Sequence, residues 1–113
     1  MKIVGVDLVA HAAFSDMPFD KAVDIVKEMP RHSALSFAGE LTYPGYKHIP
    51  SSYIFCEKDA LVLPDSQRKF IERISEATGK EVDVHTLSSG HAPNISATEE
   101  LAQVLVEVAR AAV

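Results

Sequence analysis

The segment 52–94 decides the reading of this chain: S-Y-I-F-C-E-K-D-A-L-V-L-P (Ser52–Pro64), D-S-Q-R-K-F-I-E-R-I-S-E-A-T-G (Asp65–Gly79), then E-V-D-V-H-T-L-S-S-G-H-A-P-N (Glu81–Asn94). Ser52–Cys56 is a short run rich in Tyr, Ile and Phe, the composition of a buried strand. Glu81–Leu87 alternates, with Val82 and Val84 between polar neighbours, and predicts a second strand. Between them, Phe70, Ile71, Ile74 and Ala77 recur at helical spacing over 65–78, and Gly79 supplies a C-terminal stop. Two strands separated by one helix imply a parallel pair joined by a right-handed crossover. Such a unit delivers the ends of both strands to one side of the sheet. Asp59 follows the first strand and His91 the second, so an acid and an imidazole are expected to meet there.

Working outward, the last helix is predicted over 97–112. Ser96-x-x-Glu99 has capping-box spacing, and Leu101, Val104, Leu105 and Val108 make an apolar face. Glu99 and Glu100 near its start and Arg110 near its end suit the helix dipole. Upstream, Asp16 is a candidate N-cap for a helix over 18–29, with Pro18 in its first turn, an apolar stripe at Ala22, Val23, Val26 and Met29, and Pro30 as its stop. Arg31–Leu41 predicts a second short helix carrying Leu35, Phe37 and Leu41, with Ser33 as its cap. Lys2–Val9 is rich in β-branched residues and reads as strand or helix. The Pro44-Gly45 pair marks a turn. Around it, Tyr43, Tyr46 and His48 either pack the loop, the default, or touch a substrate.

At 113 residues with net charge −5 and no basic run, the chain is read as one domain with no nucleic-acid role. No apolar run is long enough to span a membrane, and Asp7 interrupts the N-terminal one, so no signal peptide is read. The single Cys56 excludes an intrachain disulfide, points to a reducing, cytoplasmic compartment, and reads as a buried structural thiol. His11, His32, His48 and His85 show no metal-ligand spacing, so no metal and no cofactor is expected.

At Y-I-F-C-E-K-D and S-S-G-H-A-P-N the chain resembles the C-terminal half of α/β-hydrolase-fold proteins. The likeness is to esterases of the plant methylesterase and hydroxynitrile lyase type and their fungal relatives. In that family an aromatic-aliphatic strand ending in Cys is followed by the triad acid, a Pro, and a helix containing Gln. Asp59, Pro64 and Gln67 stand at those places, and His91 matches the family's catalytic histidine. The resemblance implies a partial α/β-hydrolase fold, a short parallel sheet flanked by helices. It divides the chain into a cap-like helical segment and loop at 1–50 and a strand-helix-strand-helix unit at 51–113 carrying Asp59 and His91. L-T-Y-P-G-Y-K-H-I-P resembles the approach from that cap.

Nothing in the chain reads G-x-S-x-G, so the second and third members of a triad stand without the first. Ser88 and Ser89 are loop residues and are not read as nucleophiles. Three functions are compatible with this set. One is hydrolysis of a small-molecule ester with Asp59 and His91 as acid and base, the serine half being supplied by another chain or an upstream segment. Another is general acid–base chemistry by the His91–Asp59 dyad alone, in an isomerase, cyclase, lyase or epoxide-opening enzyme. The third is a non-catalytic binding or assembly module. Two strands make an incomplete sheet, so a homodimer or a complementing chain is expected at the Tyr53–Cys56 edge, unless Lys2–Val9 folds back to fill it.

Overall fold

The computed structural model describes residues 5–113. Helices α1 (Val6–Ala13) and α2 (Phe19–Glu28) pack on each other across a short turn, and an irregular stretch follows, broken by 3-10 turns at Ala34–Phe37 and Gly45–Lys47. Strand β1 (Ser52–Cys56), helix α3 (Pro64–Thr78), strand β2 (Asp83–Leu87), the single-turn helix α4 (Pro93–Ser96) and helix α5 (Thr98–Ala111) complete the chain. The two strands pair in parallel, in register from Ser52↔Asp83 to Cys56↔Leu87. Glu57 and Lys58 extend the ladder by donating their N–H groups to Leu87 and Ser89 carbonyls. This strand-helix-strand arrangement is the α/β unit expected from the alternation of periodicities.

Local chemistry explains the main boundaries. Pro64 opens α3 at a position whose N–H has no helical partner to lose. Gly79 closes it at φ 67°, a left-handed conformation that side-chain-bearing residues avoid. Helix α3 lies against β1, and α5 against β2. Burial is split between two places. Ala10, Ala13, Phe14, Ala22 and Val26 form a core within the α1–α2 pair, and Phe55, Cys56 and Leu87 are buried in the strand unit. His11 stacks on Phe19 at 4.4 Å between ring centres, fastening the two N-terminal helices together.

Several expectations are corrected. Val6–Val9 is helical, so the strand reading of Lys2–Val9 fails there, and its first residues lie outside the described chain. Of Arg31–Leu41 only Ala34–Phe37 is helical, as one 3-10 turn, and Leu35, Phe37 and Leu41 are exposed. Without a surface to bury its apolar residues, so short a segment cannot repay helix nucleation. Strand β2 begins at Asp83 rather than Glu81. None of the three predicted N-caps makes a side-chain capping bond: Pro18 and Ala97 occupy the N-cap positions of α2 and α5 while Asp16 and Ser96 bind elsewhere, and Ser33 precedes the 3-10 turn without such a bond.

Helix α5 buries no residue fully, and Leu105 and Val106 of this helix are exposed. The radius of gyration is 15.8 Å, against about 13 Å for a compact domain of similar length. Among the described residues the sheet has two strands, so the outer edge of β1 is unpaired.

Candidate active site

The site is built where β1 and β2 end. After Cys56 the chain turns, with the Asp59 N–H donating to the Cys56 carbonyl, and the Asp59 side chain folds into the turn. Its Oδ1 accepts the N–H groups of Leu61 at 2.8 Å and Val62 at 2.9 Å. This is a local pattern that aspartate forms readily, and it locks the carboxylate. Oδ2 remains for His91, whose Nδ1 lies 2.9 Å away. Asp59 is buried, whereas the imidazole is partly exposed.

Chemistry assigns the tautomer. A carboxylate accepts and does not donate, so Nδ1 carries the proton and Nε2 keeps a lone pair. Among the described residues no group hydrogen-bonds to Nε2. An imidazole held in this way is equipped to take a proton through Nε2 and return it.

Gln67 supports the acid from beneath. Its carboxamide receives the Cys56 N–H and donates to the carbonyls of Cys56 and Val62, each at 2.9 Å. The side chain is 2 % exposed, so these three bonds satisfy a polar group that would otherwise be costly to bury. Helix α3, the end of β1 and the turn carrying Asp59 are thereby joined.

On the histidine side, Asp16 reaches across from the α1–α2 turn. Its Oδ2 accepts the Gly90 N–H and the Ser96 hydroxyl, each at 2.6 Å. Burial opposes the charge of Asp16, but the Ser96 and Gly90 hydrogen bonds outweigh it and leave its pKa below the usual value. Ser89 is 1 % exposed and its hydroxyl turns back to the Gly90 carbonyl, which suits a structural role. Cys56 is buried, and burial first of all pushes its thiol pKa up, as expected of a structural cysteine.

Asp59 and His91 share the wall of a cavity of about 300 Å³ with Tyr53, Ile54, Cys56, Val62, Gln67, Phe70 and Pro93. That volume suits a small, mostly apolar molecule. Burial is the leading cause that raises the Tyr53 pKa, so its phenol stays a hydrogen-bond donor at neutral pH. A larger groove of about 410 Å³ lies at the opposite ends of the strands, lined in part by Tyr46, His48, Ser52 and Asp83. It holds neither Asp59 nor His91, and the smaller cavity is the one adjoining the acid–imidazole pair. Tyr43 stacks on His48 at 5.5 Å, and Tyr43, Tyr46 and His48 are absent from the wall of the cavity beside the pair.

His85 in the middle of β2 hydrogen-bonds Asp83, the first residue of the strand, at 2.8 Å. The same Asp83 oxygen accepts the Ser52 hydroxyl, which fastens the strand beginnings together. Among the described residues no group of three or more His, Cys, Asp or Glu is placed to hold a metal ion. Among the same residues no helix is long and apolar enough to cross a membrane.

Sequence reasoning singled out Asp59 and His91, and the structure brings them together. It missed Asp16 and Ser96 as partners of the histidine loop, assigning both to helix caps. Contacts between residues 74 and 80 positions apart leave no local pattern. Gln67 stood out through the resemblance alone, without its clamp.

No model of a known protein family matches the chain. Over 100 residues, 88% of the chain, it is 46% identical to a protein named "Probable hydrolase R7" from Phoma sp. (strain ATCC 20986 / MF5453). The chain spans 41% of the length of that relative. It therefore has a hydrolase-named relative.

Proposed function

We propose that this chain is the acid-and-histidine part of an α/β-hydrolase-like protein acting on a small-molecule ester. His91 is its general base and Asp59 the group that orients it. The observation that carries the reading is the 2.9 Å contact from His91 Nδ1 to Asp59 Oδ2, with the other Asp59 oxygen locked by two backbone N–H groups. The hydrolase-named relative supports the reaction class. In this reading the unit at 51–113 carries the chemistry and the segment at 1–50 is cap-like.

A serine from outside these 113 residues attacks the ester carbonyl while Nε2 of His91 takes its proton. The proton then passes to the departing alkoxide, leaving an acyl-serine. Water, deprotonated by the same nitrogen, releases the acid and restores the serine. Throughout, Asp59 keeps Nδ1 protonated and stabilises the imidazolium as it forms.

The test is ester hydrolysis and fluorophosphonate labelling, with the chain alone and joined to the portion of the fungal relative outside the matched region. The chain alone is expected to show neither. The joined protein is expected to hydrolyse short p-nitrophenyl esters and to lose most of that activity with His91→Ala. Full activity in the joined His91→Ala protein overturns the reading, and stoichiometric labelling of Ser88 or Ser89 in the chain alone overturns the external nucleophile.

A second reading draws on the cavity of about 300 Å³ that adjoins the Asp59–His91 contact within this chain. The dyad would then move protons on a small molecule without a covalent intermediate. Turnover by the chain alone, lost with His91→Ala and insensitive to fluorophosphonate, would select it.

A further inference from the structure

Three observations meet at Asp16, a residue that the chemistry of the acid and histidine does not use. Its Oδ2 accepts two hydrogen bonds, from the Gly90 N–H and the Ser96 hydroxyl. Gly90 immediately precedes His91, and Ser96 ends the helical turn that follows it. One carboxylate thus grips the histidine loop on both sides of the ring-bearing residue.

Next, the space that a side chain at position 90 needs is already taken. A Cβ on Gly90 would lie 2.7 Å from Asp16 Oδ1 and 2.9 Å from its Cγ. Positive φ values occur among the described residues at Gly5 and Gly79, not at Gly90. The glycine therefore serves close approach of the carboxylate rather than an unusual backbone conformation. Finally, Ala92, on the other side of His91, packs against the apolar core of the α1–α2 pair. The same N-terminal unit that presents Asp16 holds the residue after the histidine.

We infer that Asp16 is a positioning residue for His91, acting through the Gly90 peptide and Ser96 to couple the α1–α2 pair to the acid–imidazole contact. Its significance for catalysis rests on reading His91 as a base. Asp16 touches no reacting atom in this scheme. It sets where the loop stands, so that the imidazole meets a carboxylate fixed independently by its own turn. A shift of the α1–α2 pair is then transmitted to the ring through two short hydrogen bonds. The lowered pKa of Asp16 agrees with a charged carboxylate here, near Lys58.

The test is NMR of the chain alone, reading Gly90 amide exchange and the His91 ring nitrogens. The wild-type protein is expected to show a protected Gly90 amide and a ring with its proton on Nδ1. Asp16→Ala is expected to lower Gly90 protection by about tenfold or more, the loss fitting a charge-assisted bond, and to leave the ring averaging between tautomers. Asp16→Asn, whose oxygen still accepts the Gly90 N–H, is expected to restore most of the wild-type signature. Ile74→Ala removes methyl groups from α3 beside the beginnings of the strands, away from the α1–α2 pair and the histidine loop, and should leave the His91 tautomer unchanged. If Asp16→Ala fails to fold, Ser96→Ala takes its place, with a smaller change of the same kind.

Gly90→Ala should perturb the ring in the wild-type background and add little once Asp16 is alanine, since the obstructing carboxylate is gone. A wild-type ring signature in Asp16→Ala, or an equal disturbance by Ile74→Ala, overturns the inference. Neither outcome touches the hydrolase reading, which stands or falls on ester turnover by the joined protein.

Discussion

Gln67 holds both main-chain groups of Cys56, accepting its N–H and donating to its carbonyl at 2.9 Å each. The second amide proton goes to Val62, so one side chain of α3 closes the end of β1 and the turn that carries Asp59. The acid is thus held from two directions, by its own turn and by the helix behind it.

Replacing Gln67 with Leu keeps the bulk and removes all three bonds, leaving buried main-chain groups without partners. We expect Gln67→Leu to cost about 2–4 kcal/mol, read by urea denaturation, because each stranded buried group costs about 1–3 kcal/mol and neighbouring losses overlap. A loss below about 1 kcal/mol would show that water replaces the clamp.

Asp59→Asn is expected to invert the histidine tautomer. The amide oxygen can still serve the Leu61 and Val62 N–H groups, which turns the amide NH2 toward Nδ1. Nδ1 must then accept, and the proton moves to Nε2, where the base is needed. Ring-nitrogen shifts report the change directly. Any activity that depends on His91 should fall steeply, of order 10³–10⁴-fold where tautomer control is decisive.

Cys56 should resist iodoacetamide in the native chain and react on unfolding. Burial raises its pKa above the usual thiol value. The native state therefore favours the neutral thiol more than the unfolded state does. That preference costs nothing below the unfolded value and reduces stability as pH rises through it toward the native value. Cys56→Ala should remove part of the alkaline loss measured by denaturant titration.

Asp16 has the opposite sign. Its native pKa lies below the ordinary aspartate value, so its contribution is present above that ordinary value and fades as pH falls through the native one. The groups facing it are the Ser96 hydroxyl, the Gly90 N–H, Lys58 and the Cys56 thiol. Gly90 amide protection, corrected for intrinsic exchange, should hold down to the ordinary aspartate range and drop below it. Asp16→Asn should abolish that acid step.

The unpaired edge of β1 and the exposed Leu105 and Val106 on α5 lead us to expect association, with a second copy or a complementing chain. Light scattering of the purified chain should report a dimer or a larger complex. A stable, well-folded monomer at micromolar concentration counts against this.

The order of elements was legible because periodicity is local. Alternation over Glu81–Leu87, the 3.6-residue rhythm of α3 and the Pro64 and Gly79 boundaries each depend on neighbours in the chain. The Asp59–His91 encounter also followed from sequence, because adjacent parallel strands bring the loops that follow them to one side of the sheet. Helix caps were less secure. Asp16 and Ser96 carry good capping side chains, but a carboxylate and a hydroxyl satisfy whichever partner the fold brings nearest. Tertiary structure gave them each other and Gly90, across separations that no local pattern records. It likewise decided that 31–41 keeps a single 3-10 turn. Apolar residues at helical spacing state only that a face wants covering, and covering it requires a second surface placed by the rest of the fold.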